Sequence, residues 1–312
     1  MDRSHDPCTQ VLGVGFPYIR SLPATLYAGD GPLDFVELTP EELCRERRTG
    51  GRIVFDLVPR ELENARAVCG DQPIVVHGVE LSIGSADGWN HAYVDMLDEL
   101  AVRWPFQWHS EHLGFQTIST AEGTMRDVGV PLPLPLTEEA VTLVAERARY
   151  LAARYGVPFL LENAAHYLPR LPSDTFVADE AAFMQRIVRR SGCGQLLDLH
   201  NLYCNALNQG FDPFEMVARF PLDEVVEIHV AGGASRDGFW MDSHSDRVPH
   251  TVWELLDAAL PRCPRIAGVV YEILEETASH LPVDAIEGEL ATLRAIWTRH
   301  LVARLAESGV CP

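Results

Sequence analysis

Short runs of apolar and β-branched residues alternate with longer helical stretches along most of the chain. Eight of the runs have the length and composition of strands: residues 11–15, 33–38, 73–78, 105–115, 157–163, 194–200, 225–230 and 267–273. Helices are expected over 60–68, 89–103, 138–155 and 283–305. Val94, Leu97, Leu100 and Ala101 share one face of the second helix, and Leu290, Leu293, Ile296 and Trp297 one face of the last. Strands that alternate with helices predict a parallel sheet. Eight of them predict an α/β fold of the single (β/α)8 TIM-barrel type, one domain over residues 1–312.

Seven of the eight runs carry a polar or ionisable residue at or just past their C-terminal ends. These are Glu37, His77, the Trp-His-Ser-Glu-His run ending at His112, Glu162 with Asn163, Asp198 with His200 and Asn201, His229, and Glu272. In a parallel barrel those ends meet at one rim, where barrel enzymes keep their chemistry. Imidazoles and carboxylates gathered in one cavity repel and stay poorly solvated unless a multivalent cation joins them. Imidazole favours iron, zinc, copper or nickel, and carboxylate oxygens can bridge two ions.

The fourth run sorts its polar residues by alternation: His109 and Glu111 share one face, Ser110 and His112 the other. They cannot all face inward, and His112, at the end of the run, is the one expected at the rim. Glu162 is flanked by apolar neighbours, so a buried carboxylate there must be protonated, paired or metal-bound, and Asn163 would add an amide oxygen. Asp198 and His200, two apart, are expected on one strand face. Glu37 fits either a ligand or a hydrogen bond to one. The segment 231–249 is a long excursion whose Asp242-Ser243-His244-Ser245-Asp246 fits both convergence on a cation and a solvated turn. Pro131-Leu132-Pro133-Leu134-Pro135-Leu136 is expected to form part of a wall beside the site, and Thr137-Glu138-Glu139 to cap the helix that follows. Gly13-Val14-Gly15 is barrel geometry, because the Gly-Lys-Ser/Thr of a phosphate loop does not follow.

Composition narrows the partners. The chain has 312 residues, 47% of them hydrophobic, with a mean hydropathy of −0.02 that suits a large core. Forty-five acidic against 25 basic residues leave a net charge of −20, which excludes a nucleic-acid backbone as the expected partner. Seven cysteines without a Cys-x-x-Cys pair offer neither a disulfide framework nor a thiolate zinc site. Nothing at the N-terminus reads as a signal peptide and no run of about 18 apolar residues reads as a membrane span, so a cytoplasmic protein is expected.

Six motifs, in order along nearly the whole chain, carry a family resemblance. They are His77-Gly78-Val79-Glu80-Leu81-Ser82-Ile83-Gly84, Ser110-Glu111-His112-Leu113, Leu161-Glu162-Asn163 with Tyr167-Leu168, Leu197-Asp198 through Asn201-Leu202-Tyr203, Glu227-Ile228-His229-Val230-Ala231-Gly232, and Asp242-Ser243-His244. Together they resemble the multinuclear non-haem iron-dependent oxidative enzymes, which include the iron subunits of methanobactin and 3-thiaglutamate biosynthesis. The resemblance implies a barrel with two or three mixed-valent Fe(II)/Fe(III) ions, O2 as oxidant, and a ribosomally made precursor peptide as substrate, modified at a cysteine. It implies His77, His112, Glu162, Asp198, His229, Asp242, His244 and Glu272 as ligands, with Asn163, His200 and Asn201 as further candidates. Glu162, Asp198 and His200 are the expected catalytic groups, and a separate leader-recognition partner protein is expected. Two positions depart from the pattern: Gly233 stands where the family often has histidine, and His200 where it often has asparagine. The alternative is a metal-dependent hydrolase or isomerase of the sugar-isomerase or endonuclease type, with a Lewis-acid ion activating water.

Overall fold

The computed structural model describes residues 10–29, 31–49, 52–119, 125–167 and 179–308. Among them, eight parallel strands close a barrel: β1 (Gly13–Pro17), β2 (Phe35–Leu38), β3 (Ile74–Gly78), β4 (His109–His112), β5 (Phe159–Glu162), β6 (Gly194–Asp198), β7 (Val225–Ala231) and β8 (Gly268–Glu272). They lie around the barrel in chain order, and β8 pairs with β1 through Gly13↔Gly268 to Gly15↔Val270. Each of the eight expected runs supplies one barrel strand, with ends shifted by a few residues.

Seven of the connections, counting the closing one, use α-helices: α1 (Pro59–Cys69), α2 (His91–Arg103), α3 (Glu138–Tyr155), α4 (Glu180–Ser191), α5 (Leu199–Gln209) with the short α6 (Pro213–Val217), α7 (His250–Ala259), and α8 (Val283–Ser308) after β8. A short 3-10 turn, Ala24–Tyr27, serves between β1 and β2. Side-chain caps fix several helix starts: Asn90 accepts from Tyr93 N, Thr137 from Ala140 N, Asp179 from Ala182 N and Asp198 from Asn201 N. The cap at Asp198 changes the local reading. It ends β6 at Asp198 and puts His200 inside α5, so the two do not share a strand face.

The barrel interior is stacked in layers. Phe35, Val75, Trp108, Leu160, Leu196, Val226, Ala267 and Val270 form a buried apolar plug at its floor. The Phe35 ring fits because two strands carry glycine beside it: a Cβ on Gly15 would come within 2.3 Å of that ring, and one on Gly268 within 2.7 Å. A second, larger apolar layer lies between the sheet and the helices.

Three hairpins are inserted between strand ends and helices, on the face where the strands point their C-termini. Cys44–Thr49 pairs with Arg52–Leu57, Gly114–Ser119 with Met125–Pro133, and Ala234–Arg236 with Phe239–Met241. The second one divides the expected 105–115 strand, since both halves alternate and periodicity alone does not mark the break. Its returning strand carries Pro131 to Pro133, so the start of the proline-rich stretch lies on that face. Five cysteines among the described residues are free thiols, and Cys8 and Cys311, like Leu168, lie outside those residues. No helix among the described residues is long and apolar enough to cross a membrane.

Candidate metal centre

The first corner of the site is His77, His112 and Glu162, from β3, β4 and β5. Ser110 donates its hydroxyl to Val76 O, so its oxygen accepts from His77 Nδ1 at 3.0 Å. His112 Nδ1 lies 3.2 Å from Gly78 O and must donate to it. In the neutral His77 ring the remaining Nε2 is therefore a bare lone pair, whereas at His112 the Glu162 and Glu272 carboxylates outweigh burial and raise the imidazole above its ordinary value, favouring a proton on Nε2. Both Nε2 atoms point at one oxygen, Glu162 Oε2, at 3.2 Å each. Asn201 holds the other oxygen, Oε1, at 3.0 Å. His77 Nε2 and Glu162 Oε2 are buried there with no hydrogen-bond partner. A cation answers that arrangement. Ligand atoms bonded to one ion at about 2.0–2.2 Å sit about 3 Å apart, the spacing found here.

The second group, Glu162, Asp198, His229 and Glu272, brings its ligand atoms within 4.8 Å of one another. Asp198 Oδ1 caps α5, while its Oδ2 is buried without a partner. Asn163 grips the Asp198 backbone at both ends, donating to its carbonyl at 2.8 Å and accepting from its N–H at 3.0 Å. His229 is held between two carboxylates: Nδ1 is 2.9 Å from Glu272 Oε2 and Nε2 is 3.1 Å from Glu37 Oε2. One layer down, Trp108 Nε1 donates to Glu227 Oε2 at 2.8 Å, and Glu227 Oε1 is 3.9 Å from His229 Nε2.

The third group comes from the connection between β7 and α7. Asp242 Oδ1 lies 2.7 Å from His244 Nε2 and 2.8 Å from His200 Nδ1, and His244 Nδ1 is 3.5 Å from Glu272 Oε1. His244 adopts φ 47°, a left-handed conformation unusual for a residue with a Cβ. Thr277 Oγ1, donating to His244 O at 2.7 Å, holds it there. Glu272 thus links this arm to the strand-borne candidates.

Charge is concentrated accordingly. Burial pushes His77 down to about 3, so it is neutral. Burial also lowers His244, but the Asp242 and Glu272 carboxylates overcome it and carry the imidazole up to about 10. His229 is raised well above its ordinary value, because the pull of Glu37 and Glu272 outweighs burial. Burial raises Glu162 and Asp198, and the neighbouring carboxylates add to that rise. The free site therefore carries protons that a cation would displace.

The structure brings His77, His112, Glu162, Asp198, His229, Asp242, His244 and Glu272 together. Asn163 and His200 stand differently: Asn163 spends its amide on the Asp198 backbone, and His200 has both nitrogens occupied, Nδ1 by Asp242 and Nε2 by Trp240 Nε1 at 3.1 Å. Glu37 touches His229. His109 and Glu111 face away from the mouth and bond each other at 2.8 Å. Sequence reasoning passed over Glu227, although it lies two residues from His229 on one strand face. It also passed over Trp240 and Thr277, for which loop sequence carries no signal.

Solved structures of the same architecture include L-ribulose 3-epimerase (TM-score 0.50, 13% identity, covering 96% of this chain and 95% of that one). Another is a xylose isomerase domain protein from Planctomyces limnophilus (TM-score 0.54, 13% identity, 94% and 97%). At that identity the likeness is one of fold. The UPF0276 protein of Caulobacter vibrioides is 35% identical over 291 residues, covering 92% of this chain and 93% of its own length. The UPF0276 protein of Neisseria gonorrhoeae is 30% identical over 274 residues, covering 86% and 89%. The model of the family described as RiPP precursor modification enzyme MbnB/TglH/ChrH matches residues 12–298, and the chain belongs to that family.

Proposed function

We propose that the chain is a multinuclear non-haem iron enzyme that uses O2 to oxidise a ribosomally synthesised precursor peptide at a cysteine. The observation that carries the metal is the pair of imidazole nitrogens converging on Glu162 Oε2, with His77 Nε2, Glu162 Oε2 and Asp198 Oδ2 all buried and unpartnered. His77, His112 and Glu162 would hold one ion. Glu162, Asp198, His229 and Glu272 would hold a second, with Glu162 between the two, and Asp242 with His244 supports a third. Mixed imidazole and carboxylate donors suit iron, and soft sulfur is a strong iron ligand, which favours a substrate thiolate. Bound iron would supply the one-electron chemistry with O2 that side chains lack.

The chain's own residues do the rest. Ser110 and the Gly78 carbonyl fix the His77 and His112 tautomers, and Asn201 keeps Glu162 Oε2 turned toward them. Glu37 and Glu272 bracket His229. A groove of about 490 Å³ lined by Gly84, Phe115, Ile118, Leu134 and Leu143, with Asp87 and Glu139, is mostly apolar surface on which peptide side chains would rest. A separate partner that grips the leader belongs to the same proposal. The sugar-isomerase alternative rests on fold alone.

The test is anaerobic loading with Fe(II), elemental analysis, and incubation with a cysteine-containing precursor peptide. We expect two or more irons per chain and a mass change that appears only with O2. Full activity on zinc alone would refute the oxidative reading.

A further inference from the structure

The His200 imidazole is wholly buried, and every group around it agrees on one protonation pattern. An indole N–H only donates, so His200 Nε2, 3.1 Å from Trp240 Nε1, is the acceptor. The ring's single proton then sits on Nδ1 and goes to Asp242 Oδ1, 2.8 Å away. Cys204, one turn further along α5, brings its sulfur to 4.0 Å from the same Nε2. Burial, with Asp242 and Asp198 nearby, raises the thiol's pKa and keeps it S–H, a second neighbour of donor type.

Space for the ring is also built. A Cβ on Gly233 would fall 2.7 Å from His200 Nε2, 2.8 Å from its Cε1 and 2.2 Å from Met241 O, so the ring stands where any larger residue at 233 would place its side chain. Trp240 is pinned in turn. The Asn208 amide donates to Trp240 O at 2.9 Å and accepts from Trp240 N at 2.8 Å, and the Tyr203 ring lies 5.7 Å from the indole. Asp242 N donates to Tyr167 OH at 2.7 Å.

We infer that Trp240, His200 and Gly233 form a positioning unit that aims Asp242 into the metal centre, and that His200 is a positioning residue and not a ligand. This rests on the metal-dependent reading above. A ligand role would require His200 to give up the indole donor at Nε2 or the carboxylate at Nδ1. As a positioning residue it holds Asp242 Oδ1 beside His244. The hairpin Ala234–Arg236/Phe239–Met241 is thereby tied to the ligands through its tryptophan.

Two measurements test this on the whole chain. Histidine-selective 15N NMR of the metal-free protein should show His200 protonated at Nδ1 and bare at Nε2, and Trp240→Phe should shift that signal. Anaerobic Co2+ titration should then show Trp240→Phe and His200→Ala weakening only the last-filled step, about 10- to 100-fold, with the number of ions at saturation unchanged. Loss of one ion in His200→Ala, with an unaltered isotherm in Trp240→Phe, would make His200 a ligand and overturn the inference. So would a proton on Nε2. Trp240→Phe keeps an aromatic ring against Tyr203, so the inference remains testable if His200→Ala misfolds. A wild-type chain that binds no Co2+ sinks the metal reading alone, because the NMR result stands without any ion.

Discussion

The floor and the mouth of the barrel are built by the same strands two residues apart. Phe35 lies below Glu37, Val75 below His77, Leu160 below Glu162, Leu196 below Asp198 and Val270 below Glu272, each pair on one strand face. The lower members give up apolar surface to one another, a gain of roughly 25 cal/mol per Å². The upper members put carboxylates and imidazoles where water does not reach, at a cost met only by pairing, protons or a cation. A shift of two residues along a strand thus turns a stabilising layer into a destabilising one that has chemistry. The floor offsets the mouth, and the two should respond to different perturbations.

The largest expected effect separates them from below. Phe35→Ala leaves a hole beneath Gly15 and Gly268 and should cost about 3–5 kcal/mol of unfolding free energy, measured by denaturant titration. Its metal stoichiometry in the folded range should equal that of the wild type; loss of ions would mean the layers are not independent. From above, Glu162→Ala removes the oxygen shared by two imidazoles. Metal affinity should then fall by more than the about 10- to 100-fold typical of losing an outer partner. Elemental analysis and circular dichroism, taken together, check that ions leave while the barrel stays.

Why the strand-borne half of the site was legible follows from the same geometry. Period-two alternation and run length are written in the sequence, so His77, Glu162, His229 and Glu272 could be placed at one rim; alternation split the fourth run into two faces, and its place at the end of that run chose His112 over His109 and Glu111. What alternation cannot report is where a strand stops. Asp198 caps a helix, which moved His200 off the strand and into contact with Asp242, and the 105–115 run breaks into a strand and a hairpin. The Asp242–His244 arm is a loop whose shape depends on Thr277, Trp240 and Tyr167, contacts between residues far apart in the chain. Its residues were visible as candidates and its convergence was not. Glu227 fell between the two, on a legible face but one layer below the rim.

That intermediate layer gives a smaller test. Trp108 belongs to the floor, yet its indole N–H reaches up to Glu227 Oε2, joining the two regions by a single donor. Trp108→Phe keeps most of the apolar body and leaves a buried carboxylate oxygen unpaired, at a cost of about 1–3 kcal/mol. Thermal unfolding measures it. A variant as stable as the wild type would show that Glu227 does not depend on this bond.

The smallest effect is one of pH, and it should belong to the mouth alone. Asp242 and Glu272 carry the His244 imidazole up to about 10, so at neutral pH an ion arriving there displaces a proton, whereas His77, pushed down to about 3, has none to lose. The sign follows: apparent affinity on the His244 side rises with pH, by about tenfold per unit for each proton displaced, until the pH passes that raised value. His77 contributes no such slope above pH 4 or so. Calorimetric Co2+ titrations in buffers of different ionisation heat count the released protons directly. His244→Asn should reduce that count by one, and an unchanged count would mean that the imidazolium at His244 is not what the ion replaces.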